Sequence, residues 1–178
     1  MSYHRHRCQA SAAQTRPIRC AILTISDTRT TDTDTSGAAI RSALEQAGHT
    51  VARYHIVQDA ADQIQALLHQ VADDGCRVVI TNGGTGITRR DTTFEAVDNL
   101  LEKRIPGFGE LFRMLSYEEI GAAAMLSRAT AGVYRQMVLF CLPGSSGAVR
   151  LAMERLIIPE LAHLVWELTR QEPDHASG

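Results

Sequence analysis

Arg77-Val78-Val79-Ile80-Thr81 runs without a break into Asn82-Gly83-Gly84-Thr85-Gly86-Ile87-Thr88-Arg89-Arg90-Asp91, and the reading of this stretch decides the fold. The first five residues are a short, β-branched apolar run, the pattern of a strand buried on both faces of a parallel sheet. The glycines that follow permit positive φ and let a ligand approach the main chain closely. Amide N–H groups in such a loop, opening toward a helix, make an anion site. Asp91 closes the stretch where a carboxylate could hold a cation against that anion.

Upstream, Cys20-Ala21-Ile22-Leu23-Thr24-Ile25 is a second apolar run, ending in Ser26-Asp27. A polar loop over 28–35 follows, and Thr35 or Ser36 is expected to cap a helix that buries Ala39, Ile40, Ala43, Leu44 and Ala47 and stops at Gly48. Residues 50–57 read as a strand. Asp59 and Asp62 then precede a helix with Ile64, Leu67, Leu68 and Val71 inward, closed by Gly75. The order strand, helix, strand, helix, strand implies a parallel sheet with helices on both faces, and ligands of such sheets gather beyond the carboxyl ends of the strands. Ser26-Asp27 and the glycine loop share that edge.

Downstream, the spacing of Phe94, Val97, Leu100 and Leu101 predicts a helix over 92–103, broken by Pro106-Gly107. A second helix carries Leu111, Phe112, Met114 and Leu115. Residues 128–132 and 137–142 read as strands joined by a turn at Tyr134-Arg135-Gln136. Pro143-Gly144-Ser145-Ser146-Gly147 is another loop at a strand end. A long final helix follows, which Pro159 should kink or split.

The chain has 178 residues, 44% hydrophobic and 21% charged, which suits one domain over 18–170 between a disordered tail at 1–17 and a short tail at 171–178. A formal net charge of -2 argues against nucleic acid as a partner and leaves a small molecule or a protein. No apolar span approaches the roughly 20 residues of a transmembrane helix, and residues 1–17 lack a signal-peptide core, so no membrane association and a cytoplasmic location are expected. Cys8, Cys20, Cys76 and Cys141 form no C-x-x-C pair and read as reduced structural thiols, and the seven histidines are scattered without zinc-site spacing.

Common signatures are excluded cheaply. The single lysine, Lys103, follows no G-x-x-x-x-G, so there is no Walker A loop; the glycine run is not G-x-G-x-x-G; and Gly144-Ser145-Ser146-Gly147 falls one residue short of a nucleophile elbow. A flavodoxin-like carrier, with FMN phosphate wrapped by residues 26–35, is a weaker alternative because few aromatics are available to sandwich a flavin.

Six motifs in register carry a resemblance: Thr24-Ile25-Ser26-Asp27, Asp34-Thr35-Ser36-Gly37, Gly83-Gly84-Thr85-Gly86 with Asp91, Pro106-Gly107-Phe108-Gly109-Glu110, Ser127-Arg128-Ala129-Thr130-Ala131-Gly132 and Leu142-Pro143-Gly144-Ser145. Together, from about Arg19 to Arg170, they resemble the MoaB/MogA family of molybdenum cofactor biosynthesis proteins. Residues 112–121 are more similar to the MoaB branch. The resemblance implies a three-layer α/β/α molybdopterin-binding fold with a mostly parallel central sheet, assembled as a homotrimer or homohexamer. The activity it implies is Mg²⁺-dependent adenylylation of molybdopterin by ATP with release of pyrophosphate.

Carried over by position, the resemblance implies Asp91 and Asp59 as catalytic and Mg²⁺-holding carboxylates and Gly83, Gly84, Thr85 and Gly86 as phosphate-binding amides. It implies Ser26 and Asp27 on the nucleotide side, and Ser127, Pro143, Gly144 and Ser145 on the pterin side. Arg89 and Arg90 flank the site, either as phosphate-neutralising groups or as an exposed charged turn, and Arg128 could act similarly. Asp59 and Ser145 read equally as helix caps, and Glu110 as an acidic helix start. In MogA-like members the acidic residue is followed by Val-Thr-Pro, whereas here Asp91 is followed by Thr92-Thr93-Phe94. A non-catalytic oligomeric protein that binds molybdopterin or a nucleotide is therefore the alternative.

Overall fold

The computed structural model describes residues 16–170. Cys8, the tail expected at 171–178, and all of the N-terminal tail except residues 16 and 17 lie outside the described residues. Six strands form one mixed sheet: β1 (Arg19–Ile25), β2 (Thr50–Val57), β3 (Val78–Asn82), β4 (Lys103–Arg104), β5 (Thr130–Tyr134) and β6 (Met137–Leu142), in the order β2-β1-β3-β6-β5-β4. The first four of that order run parallel, and β5 is antiparallel to both its neighbours. The turn between β5 and β6 places Arg135 and Gln136 at φ 44° and 61°, the left-handed pair a two-residue hairpin needs.

Strand alternation builds the three layers. Cys20 and Ile22 of β1, Val78 and Ile80 of β3, and Val138, Phe140 and Leu142 of β6 face one core with α1 (Thr35–Gln46), α4 (Pro106–Ile120), α5 (Ser146–Ala152) and α6 (Ile158–Thr169). Ala21, Leu23 and Ile25, with Val79, Leu139 and Cys141, face the opposite core under α2 (Ala61–Asp73) and α3 (Thr93–Leu100). Ile22, Leu23, Ile80 and Leu139 are wholly buried, each contributing roughly 1.5–3 kcal/mol of transfer free energy. The α/β/α fold expected from the sequence is the one observed.

Several local expectations are corrected. Helix α1 is capped by Asp34, whose carboxylate accepts the Gly37 N–H at 2.9 Å, rather than by Thr35 or Ser36. The helix predicted over 92–103 ends at Leu100, because Lys103 and Arg104 pair with Val133 and Gly132 as β4. Pro106 opens α4 rather than merely breaking its predecessor, since a first-turn proline forfeits no intrahelical bond. In α4, Phe108, Phe112 and Leu115 are inward, while Leu111 and Met114 are 47% and 53% exposed. The final helix does split: a π turn over Met153–Ile157 separates α5 from α6, the wider turn accommodating Pro159, which has no N–H to continue an α ladder.

The topology places the site. From β1 the chain moves outward to β2, then crosses back over β1 to β3, so the connections leave the β1–β3 boundary in opposite directions. That boundary is the switch point where open α/β sheets hold ligands. The loops leaving β1, β2, β3 and β6 all lie on this edge.

Candidate functional site

The glycine loop is held by close backbone approaches from three sides. Gly83 and Gly84 have φ of 102° and 63°. A Cβ on Gly83 would press into the Ile25 carbonyl at the end of β1, and one on Gly84 would lie 2.5 Å from Asp59 Oδ2. The Gly83 N–H donates to the Leu142 carbonyl at 3.0 Å, and the Gly144 backbone abuts Gly83 Cα. The amides of Gly84 and Thr85 make no hydrogen bond to another described residue. Of the four amides expected to meet phosphate, one is therefore tied to β6, two are free, and the fourth, on Gly86, faces Asp91.

Asp91 folds back on the loop. Its carboxylate accepts the Thr88 hydroxyl at 2.5 Å and the Thr88 N–H at 3.0 Å. The Thr88 hydroxyl bond foremost, with help from the backbone N–H groups of Thr88 and Gly86 and the nearby Arg128, holds its carboxyl below the usual carboxylate range against the opposing effect of burial. Asp91 is thus ionised. Arg128 is committed to shaping this turn: it donates to the Gly86 carbonyl at 2.9 Å, pairs with Glu95 and stacks 4.2 Å over the Phe94 ring.

Asp59 caps a helix, but not its own. The N-cap of α2 is Ala60, without a side-chain bond. Asp59 instead accepts the Thr92 N–H at 3.1 Å, the Thr92 hydroxyl at 2.8 Å and the Thr93 hydroxyl at 3.0 Å at the start of α3, the reciprocal half of a capping box supplied from another strand end. These bonds converge on Oδ1; Oδ2 has only one longer contact, 3.3 Å from the Thr92 N–H.

Two clefts are lined by residues of the loops at this sheet edge. The first, about 490 Å³, is lined by Asp27, Asp59, Arg89, Arg90 and Thr92 with Gln58 and Ala60. Arg89 and Arg90 are exposed and have no ion-pair partner among the described residues. The second, about 300 Å³, brings Ser127, Pro143 and Ser145 together against α4 and α5. Ser145 also caps α5 through its hydroxyl, which accepts the Ala148 N–H at 3.3 Å. Ser26 lines neither cleft; its hydroxyl accepts the N–H groups of Thr28 and Arg29 and folds the loop after β1. Gly144, between Pro143 and Ser145 of the second cleft, meets Gly83 of the glycine loop.

Among the described residues no group of three or more His, Cys, Asp or Glu side chains converges as a metal cage. Mg²⁺ does not require one, since it is commonly held by one or two carboxylates completed by substrate phosphates. The ionised Asp91 and the lightly engaged Oδ2 of Asp59 fit that kind of donor set.

The sequence assigned no role to the buried network beneath the loops. Asp34, 1% exposed, accepts the Tyr54 hydroxyl at 2.5 Å and Arg29 at 3.1 Å. Arg29 and Ser36 both donate to the Gly144 carbonyl, at 3.1 and 2.9 Å. Asn82 donates to Thr24 at 2.9 Å and leaves its own buried carbonyl oxygen without a partner. Burial raises the Asp34 carboxyl, but hydrogen bonds from Thr24, Tyr54, Gly37 and Arg29 outweigh it and hold the group below its ordinary value. The readable signal was Asp three residues before Gly37 at a helix start.

The pattern of the family described as "probable molybdopterin binding domain" matches residues 21–163, and the chain belongs to this molybdopterin-binding MoaB/MogA family. Within it, the similarity falls on the MoaB branch. The chain is 56% identical over 173 residues to molybdenum cofactor biosynthesis protein B of Bacillus anthracis, covering 96% of this chain and 100% of that one. It is 51% identical over 174 residues to the protein of the same name from Bacillus subtilis, with 97% and 100% covered. A crystal structure of molybdenum cofactor biosynthesis protein B superposes with a TM-score of 0.84 at 57% identity, over 88% of this chain and 98% of that one. The tungsten cofactor synthesizing protein MoaB from Pyrococcus furiosus gives 0.78 at 39% identity, over 85% and 97%.

Proposed function

We propose that this chain is a Mg²⁺-dependent molybdopterin adenylyltransferase acting in molybdenum cofactor biosynthesis. The biosynthetic role follows from family membership. The finer reading rests on one observation: the loops at one sheet edge line an arginine- and carboxylate-bearing cleft and a half-apolar cleft, and the glycine loop with its two free amides meets Gly144, next to Pro143 and Ser145 of the second. Joining two anions requires this division, because each needs its own counter-charges and the two must be held at one point.

In this reading Arg89, Arg90 and Asp27 face the ATP side, while Ser127, Pro143 and Ser145 hold the pterin. The amides of Gly84 and Thr85 bind phosphate between them. An oxygen of the molybdopterin terminal phosphate attacks the α-phosphorus of ATP, the bond to the bridging oxygen breaks, and pyrophosphate leaves with the electron pair. Asp91 and Asp59 would hold Mg²⁺, which supplies charge neutralisation at the phosphates. The exposed apolar side chains of Leu111, Met114, Tyr117 and Met125 support assembly with further copies, as a homotrimer or homohexamer. A cytoplasmic site of action accords with free, buried Cys20, Cys76 and Cys141. None of the described helices is long and apolar enough to cross a membrane.

Purified protein incubated with molybdopterin, ATP and Mg²⁺ should yield adenylylated pterin and pyrophosphate in equal amounts, and Asp91→Asn should abolish both. A second reading, a binding protein without transferase activity, is favoured by the engagement of both carboxylates with protein donors. It predicts saturable pterin binding with no pyrophosphate in the wild type.

A further inference from the structure

The half-apolar cleft has a chemical asymmetry that the motifs do not account for. Its lining includes Ile120, Leu126, Pro143 and Leu151 with Ser116, Ser127 and Ser145, and Glu119 is the single charged side chain among its lining residues. That carboxylate has no hydrogen-bond or ion-pair partner among the described residues. It belongs to α4, whose inner face is anchored by Phe112 and the 4% exposed Ser116, so its backbone is fixed one turn from the core. A volume of about 300 Å³ matches the lower end of small-molecule sites, roughly 300–1,000 Å³, and apolar walls suit a flat bicyclic ring.

A 2-amino-4-oxopteridine presents two adjacent donors on one edge, N3–H and the exocyclic 2-amino group. A carboxylate is the acceptor-only group that receives both at once, in the geometry that also pairs it with guanidinium. We propose that Glu119 reads this edge and so determines the pteridine specificity of the cleft. The inference rests on the pterin half of the function proposed above and names a residue outside the six motifs, within the stretch 112–121 that resembles the MoaB branch.

The probes are 6-hydroxymethylpterin monophosphate and its lumazine counterpart, in which the 2-amino group is replaced by a 2-oxo group. Binding to the full chain is followed by the intrinsic fluorescence of each pteridine. Wild-type protein should prefer the pterin by about 10- to 100-fold, the range expected for charge-assisted hydrogen bonds. Glu119→Gln can donate to a 2-oxo group and should remove or reverse the preference, whereas Glu118→Gln, one residue away and outside the cleft lining, should keep it.

An unchanged pterin-to-lumazine ratio in Glu119→Gln, with tight pterin binding retained, would overturn the assignment of Glu119 while leaving the pterin site standing. Wild-type protein that binds neither pteridine would overturn the underlying site and this inference with it. Glu119 is exposed on a helix surface, so its amide variant should fold, and an unchanged thermal midpoint verifies this.

Discussion

Replacing Asp59 separates the two roles that its position allows. In Asp59→Ala the wholly buried Thr93 hydroxyl loses its acceptor, a loss of about 1–3 kcal/mol for a buried polar group left unpaired. The start of α3 also loses a negative charge, worth about 0.3–1 kcal/mol. The sum is about 1–4 kcal/mol, which for a chain of this size lowers the thermal midpoint by about 3–16 °C. Asp59→Asn keeps an accepting oxygen for the threonines and removes the charge, so about 1 kcal/mol is expected there.

Circular dichroism melts of the three proteins, beside adenylylation rates at saturating Mg²⁺, give the comparison. The account expects Asp59→Asn to retain most of the stability and lose most of the turnover. An Asp59→Ala protein melting with the wild type would refute the capping argument. An Asp59→Asn protein as active as the wild type would refute a metal role for this carboxylate.

Gly84→Ala places a methyl group against Asp59 and Thr93 at positive φ; it should melt lower by several degrees and lose phosphate affinity, checked by scanning calorimetry and titration with inorganic phosphate. Arg89→Ala and Arg90→Ala remove unpaired charges from an open cleft, so each should weaken ATP binding by about tenfold in calorimetric titration without shifting the melt by more than about 0.5 kcal/mol equivalent. Stability should also fall in alkali. Burial, with the Asp34 carboxylate beside it, raises the Tyr54 hydroxyl from its ordinary value to about 12. The unfolded chain therefore releases this proton near pH 10 while the fold retains it, and stability present below pH 10 is lost as the pH rises toward 12. Tyr54→Phe should flatten that part of a pH-dependent melt series.

The sheet and its ligand edge were legible because their signals are local. Runs such as residues 78–81 and 20–25 are apolar without alternation, and only a strand covered on both faces tolerates that. Helix edges were less legible where a tertiary pairing competed with periodicity: Lys103 and Arg104 follow an apolar helical pattern, yet they complete the sheet beside Gly132 and Val133. Hydrophobicity alone could not separate the exposed Leu111 and Met114 from the buried Phe112 and Leu115 of the same helix.

At the site, the glycine loop and Asp91 could be named from spacing because they are neighbours in the chain. The partners of Asp59 could not, since its cap belongs to a helix that starts more than thirty residues later. Arg128 also looked like a phosphate ligand in sequence. Only the fold reveals that its guanidinium is taken up by Gly86, Glu95 and Phe94.

The central claim is that phosphate is received by the two free amides of the loop. A crystal structure with molybdopterin and a non-hydrolysable ATP analogue tests it most directly. The account predicts the pterin phosphate on the N–H groups of Gly84 and Thr85, with the nucleotide phosphates extending toward Arg89 and Arg90. Both ligands lying elsewhere, with those amides bare and Asp91 still folded onto Thr88, would contradict it.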